Sequence, residues 1–99
     1  MNLAMRNYEL VTIISPEVDG EELPKVVEKV NRFISDRNGI VEETEQWGRR
    51  KLAYPIKKFM EGDYILTRFK LEPELVKALE ADLAASEEVL RQLIVKVGD

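Results

Sequence analysis

Apolar and polar positions alternate over residues 7–15 as they do in a β-strand, and both faces of this predicted strand carry apolar side chains. β-Branched and aromatic residues dominate the stretch, which ends at Pro16. One face carries Tyr8, Leu10, Thr12 and Ile14, and the other carries Glu9, Val11 and Ile13. Because only one face has to cover the core, we predict that Val11 and Ile13 lie on the open face and form an interface with a partner.

A helical pattern follows over residues 19–38, where apolar residues recur on one stripe with a period of 3.6. Asp19 is predicted to begin it as part of a capping box. Pro24 lies too deep for that start, because its ring and its missing N–H disturb the first turn, so we expect regular helix to begin near Leu23. Gly39 is predicted to end the helix in the left-handed conformation.

The middle of the chain predicts a long β-hairpin. Its strands are residues 40–54, interrupted by Gly48 as a predicted bulge, and residues 64–71. Pro55 is expected to end the pairing of the first strand or to lie on an edge, because proline has no N–H to donate to the ladder. We therefore predict a loose tip over residues 55–62.

A second helix is predicted from Pro73 onward, and residues 89–97 close the chain as a strand. The order βαββαβ predicts an α+β fold, a ferredoxin-like sandwich in which two helices cover one face of a four-stranded antiparallel sheet. We expect a single domain over residues 1–99, with residues 1–4 as a disordered extension and residues 98–99 as a short tail.

Composition excludes several kinds of chemistry in this chain of 99 residues. It has no cysteine and no histidine, which excludes thiol nucleophiles, disulfides, thiolate zinc sites and imidazole catalysis. An enzyme based on carboxylate, lysine, arginine or tyrosine would survive this filter. The apolar runs are too short to cross a membrane, and a cytoplasmic location is the default expectation.

Charge is distributed unevenly along the chain, whose formal net charge is −4. Residues 47–58, termed the basic arm, carry five cations and no acid, whereas the other 87 residues carry 10 cations and 19 acids. Trp47 and Tyr54 lie among these cations, which favours contacts with nucleic-acid phosphates and bases. A solvated edge strand, whose charges deter aggregation, explains the same run equally well. Arg6 and Arg91 fall on strands predicted to be neighbours and suggest a second small basic site.

Residues 47–56, with the sequence WGRRKLAYPI, resemble the hallmark segment of the bacterial ribosomal small-subunit protein six family. Residues 5–9 resemble the N-terminus of that family, and residues 89–95 resemble its last strand. The resemblance covers residues 5–97 with the same order of elements. It implies a ferredoxin-like fold and a structural role in the small ribosomal subunit, without a catalytic centre.

The resemblance also implies partners. Members of the family bind the central domain of small-subunit ribosomal RNA together with small-subunit protein eighteen, a basic protein that would balance this acidic chain. It implies no cofactor, metal site, membrane contact or small-molecule substrate. The RNA-facing positions that it implies, extended by the two lysines of the basic arm, are Arg6, Arg49, Arg50, Lys51, Lys57, Lys58 and Arg91.

Two other functions occur on similar folds. A small phosphate-ester or acyl-phosphate hydrolase would need a glycine-rich phosphate loop with an adjacent arginine, but residues 15–20 contain one glycine and no arginine. An RNA-recognition motif would need its aromatic signature on the third strand, and residues 64–69 lack it. The ribosomal role is therefore the leading prediction, and the hydrolase is the alternative.

Overall fold

The computed structural model describes residues 4–98, and its elements follow the predicted order. The elements are β1 (Arg6–Ile14), α1 (Leu23–Ser35), β2 (Ile40–Ile56), β3 (Phe59–Leu71), a 3-10 turn (Pro73–Leu75), α2 (Val76–Ala85) and β4 (Val89–Val97). Of the predicted disordered extension only Ala4 lies within the described residues, and of the predicted tail only Gly98 does.

The four strands form one antiparallel sheet in the order β2-β3-β1-β4. Leu10 and Ile14 of β1 share one core with Ile34 of α1 and Leu79 of α2, and all four side chains are fully buried. Burial of each such side chain contributes about 1.5–3 kcal/mol. Both helices therefore cover one face of the sheet, which confirms the ferredoxin-like prediction and the predicted faces of β1.

Helix α1 begins where the sequence predicts and ends differently. Asp19 Oδ1 accepts hydrogen bonds from two backbone N–H groups, at 3.1 and 3.0 Å, in the turn that leads to Leu23. At the C-terminal end Asn38, and not Gly39, has a positive φ of 63°. The prediction that Gly39 adopts the left-handed conformation was wrong. Asparagine also tolerates that region, and Asn38, one residue earlier, adopts it.

Gly39 is required for a different reason, because neighbouring atoms leave no room for a side chain. A Cβ atom at this position would lie 2.7 Å from Ile34 Cγ2 and 2.9 Å from the carbonyl oxygen of Lys70. The absence of a side chain therefore lets the end of α1 pass directly over β3.

The hairpin of β2 and β3 is tighter at its tip than predicted. β2 runs to Ile56 and β3 starts at Phe59, so the turn consists of Lys57 and Lys58 alone. Their φ values of 49° and 66° match the type I′ turn that joins two strands most closely. The predicted loose tip over residues 55–62 was wrong, because two residues without a turn signature adopt the left-handed conformation here.

Pairing between β2 and β3 is interrupted on the way to this turn. The register shifts at Gly48, which has a φ of 90°, and this confirms the predicted bulge. A further interruption, nearer the turn, leaves residues 52–55 opposite Met60 alone. Pro55 thus lies in an unpaired segment, as its missing N–H requires, although pairing resumes at Ile56.

Candidate nucleic-acid interface

The basic arm, residues 47–58, folds over one end of the open face of the sheet. Its Leu52 is 7% exposed and packs with Ile13 of β1 and Leu90 of β4, in a cluster separate from the main core. Side-chain burial, and not the strand ladder, therefore holds the unpaired segment 52–55 against the sheet.

This contact changes the expected partner surface. Ile13 is only 9% exposed because Leu52 of the basic arm packs on it, so little of its surface is available to a partner. Val11 is half-buried on the same face. The apolar side chains exposed beside it belong to the edge strand β4, where Leu93 is 60% and Val95 is 47% exposed. The interface role of Val11 and Ile13 stays a prediction.

Arg49 is engaged within the molecule. It lies opposite Asp63 of β3, and its Nη2 donates to Asp63 Oδ2 at 3.1 Å and to the carbonyl oxygen of Pro16 at 3.3 Å. The side chain of Asp63 is 10% exposed, whereas that of Arg49 is 42% exposed. The guanidinium thus neutralises a nearly buried carboxylate and links the basic arm to the loop after β1.

Within the described residues, Arg50 contacts two aromatic rings and no carboxylate. Its guanidinium carbon lies 5.4 Å from the ring centroid of Trp47 and 5.9 Å from that of Tyr64. Trp47 Nε1 donates in turn to Glu45 Oε1 at 3.0 Å, which orients the indole. Contacts of this kind position a guanidinium plane and leave its N–H groups able to bind phosphate.

The three lysines of the basic arm are exposed. Lys51 lies on β2 opposite Glu61, and Lys57 and Lys58 form the tip of the hairpin. These side chains are therefore placed where a polyanion can reach them.

Arg6 and Arg91 do not form a common basic site. β1 and β4 are neighbours as predicted, but Arg91 lies opposite Ile13, seven residues along β1 from Arg6. Seven residues of strand span about 23 Å. Arg91 belongs to the end of the sheet that holds the basic arm, where its Nη1 donates to the hydroxyl of Tyr54. Arg6 lies at the opposite end, facing Leu71.

Arg68, which sequence reasoning did not single out, organises the acidic part of the open face. Its Nε donates to Glu9 at 3.1 Å, and its Nη1 donates to Glu43 and Glu45 at 2.7 and 2.8 Å. These bonds, with Glu45 contributing most, raise the pKa of Arg68. The pKa of Glu45 is lowered, first by the hydrogen bond from Trp47 and then by the one from Arg68. The strand register pairs Arg68 with Glu9 on one side and with Glu43 on the other, and this register is the feature from which the cluster could have been found.

Residues 4–98 contain no candidate metal site and no candidate membrane-spanning helix. In this part of the chain no group of three or more acidic, histidine or cysteine side chains is arranged to hold a metal ion. No helix within the same range is long and apolar enough to span a membrane. The basic arm places guanidinium and ammonium groups beside aromatic rings, and such groups can bind phosphates and bases.

Several known proteins similar to this chain share one description. A family model described as ribosomal protein S6 matches residues 7–96. The chain is 41% identical to small ribosomal subunit protein bS6 of Moorella thermoacetica, over 96% of this chain and 97% of that protein. It is 44% identical to bS6 of Clostridium novyi, over 92% of this chain and 96% of that protein. A crystal structure of 30S ribosomal protein S6 from Thermotoga maritima matches with a TM-score of 0.87 and 36% identity, over 94% of this chain and 88% of that one. The chain therefore belongs to the ribosomal protein S6 family of the small ribosomal subunit.

Proposed function

We propose that this protein binds the central domain of small-subunit ribosomal RNA through its basic arm, together with the basic small-subunit protein eighteen. The observation that carries the proposal is the arm itself, which carries five cations and no acid and is anchored to the open face through Leu52. Lysine and arginine side chains that neutralise phosphates release counterions, and this release drives binding.

Membership of the family makes this chain a structural component of the ribosome, in the cytoplasm as predicted, and not an enzyme. The hydrolase alternative is therefore dropped. The solvated-edge interpretation of the basic arm is weakened by Arg50, since its guanidinium contacts two aromatic rings although the residue is exposed.

The predicted RNA-facing cations differ in how available they are to RNA. Arg49 is occupied by Asp63, so its contribution is indirect. Arg6 lies about 23 Å away along β1 and would need a separate RNA contact. The side chains that we propose as the main RNA contacts are Arg50, Lys51, Lys57, Lys58 and Arg91.

The acidic remainder of the chain supports a role for a second, basic protein. Outside the basic arm, 19 acids outnumber 10 cations, which repels RNA from most of the surface. The open face combines apolar Val11, Leu93 and Val95 with a cluster in which three carboxylates surround one cation, Arg68. Such a surface suits a partner that presents apolar and basic side chains.

The first experiment measures RNA affinity as a function of salt, with and without small-subunit protein eighteen. We expect weak binding of the protein alone and tight binding of the pair. Arg50→Ala should reduce the affinity and the salt slope, because one phosphate contact is lost. Lys77→Ala on α2 removes an equal charge outside the basic arm and serves as the matched control. Equal effects of the two substitutions would contradict RNA binding through the arm.

The second experiment tests the partner surface without RNA. Val11→Asp and Leu93→Asp should both weaken binding of protein eighteen, because each places a charge in an apolar contact. Leu93 is exposed, so its substitution leaves the fold intact, and thermal melting provides the check. Unchanged affinity of the Leu93→Asp protein would locate the partner elsewhere.

A further inference from the structure

The basic arm borders a cleft to which the proposed function assigns no ligand. The cleft has a volume of about 200 Å³ and lies beside the unpaired segment 52–55. It is lined chiefly by Ile13, Leu52, Tyr54, Ile56, Tyr64 and Arg91. Small-molecule sites usually measure about 300–1,000 Å³, so this cleft suits a single ring system.

The walls of the cleft combine flat apolar surface with a few polar groups. Arg91 donates to the Tyr54 hydroxyl, and its guanidinium carbon lies 5.7 Å from the centroid of that ring. The guanidinium therefore contacts the hydroxyl and lies over one side of the Tyr54 ring. Tyr54 is 54% exposed, so part of the residue stays accessible for stacking.

Charge distinguishes between possible occupants of the cleft. Arg91 lines it directly, and Arg50 lies 5.9 Å from the ring of Tyr64, which is another lining residue. A basic protein segment would be repelled by these cations, whereas a nucleotide would bring phosphate to them.

We propose that this cleft takes one unpaired RNA base, stacked on Tyr54, while the cations around it bind the flanking phosphates. The inference rests on the proposed function and adds a base contact to it. Unpaired bases are commonly recognised by stacking on aromatic side chains and guanidinium planes. The contact is expected to select unpaired from paired RNA and to be tolerant of base identity, since every base has a π-face.

The test compares two RNA hairpins of equal length and charge, one of which carries a single bulged 2-aminopurine and the other the same nucleotide in a paired stem. The full-length protein should bind the bulged hairpin at least about fivefold more tightly, which corresponds to the lower range for stacking of one base. Binding should also quench 2-aminopurine fluorescence. Tyr54→Leu should abolish both effects, Tyr54→Phe should retain them, and Met60→Ala, an exposed residue outside the cleft lining, should leave them unchanged.

The outcomes separate the inference from the function on which it rests. Equal affinity for the two hairpins, or a preference that survives Tyr54→Leu, overturns the base site while RNA binding by the arm stands. Loss of the quenching on addition of protein eighteen would show that a protein side chain fills the cleft and would also overturn it. No binding to either hairpin, or to the central-domain RNA, would overturn the proposed function itself.

Discussion

Replacing Arg49 with alanine should destabilise the fold more than it weakens RNA binding. The substitution removes two hydrogen bonds and leaves the 10%-exposed Asp63 carboxylate without its cation. Removing one partner costs about 3–5 kcal/mol in a buried pair and about 0–1 kcal/mol in an exposed one. Because the Arg49 side chain is 42% exposed, the expected loss lies between these limits, at about 2 kcal/mol. In a domain of this size that loss lowers Tm by about 8–16 °C.

Urea and thermal unfolding of Arg49→Ala, Asp63→Asn and the double variant test this reasoning. The double variant should lose less stability than the sum of the two single variants, because it leaves no unpaired charge. Arg50→Ala is the control at the adjacent position, where loss of exposed ring contacts costs about 0.5–1 kcal/mol and RNA affinity falls. An Arg49→Ala protein that melts like the wild type, or strictly additive effects, would refute the role of Arg49 as a brace.

Other substitutions test close packing, the charge of the tip and pH dependence. Gly39→Ala should cost about 1–3 kcal/mol in urea unfolding, since its Cβ would overlap backbone atoms, and unchanged stability would show that the helix end can move away. Replacing Lys57 and Lys58 with Asn-Gly should raise Tm, because that pair favours the type I′ turn, and lower the salt slope of RNA binding by about 1.4–1.8. A constant slope would exclude both lysines as phosphate contacts. Ser86→Ala should destabilise at neutral pH, because the Ser86 hydroxyl, followed by the backbone and Lys29, lowers the pKa of Glu88 below its ordinary 4.5. A lowered folded-state pKa stabilises above the unfolded pKa, so this difference from wild type should shrink as the pH falls below 4.5, and a pH-independent difference would contradict it.

The parts of the fold that depend on local periodicity could be predicted from the sequence. The bounds of β4, residues 89–97, agree with the structure, because its strand pattern follows directly after a helical one. The hairpin tip could not be predicted in the same way. A type I′ turn is normally indicated by glycine or asparagine, whereas the two turn positions here are Lys57 and Lys58. Pro55 also suggested that the strand ends earlier than it does.

The candidate site depended on strand register, which periodicity does not supply. Alternation places Arg49 and Arg50 on opposite faces, but only the pairing with Asp63 shows which of them is held internally. The adjacency of β1 and β4 was predicted correctly, yet their pairing separates Arg6 from Arg91. An antiparallel pair brings opposite ends of its two strands together, so Arg6 at the start of β1 and Arg91 near the start of β4 lie at opposite ends of the sheet.

The burial of Leu52 has a kinetic consequence for the basic arm. Because Leu52 and Tyr54 already anchor segment 52–55 in the free protein, its loss of conformational entropy occurs during folding and not during the encounter with RNA. RNA would then meet a preformed surface and dock in a single diffusional step, without a slower ordering phase. The charge of the arm should accelerate that step, so the association rate constant, and not only the affinity, should fall as ionic strength rises.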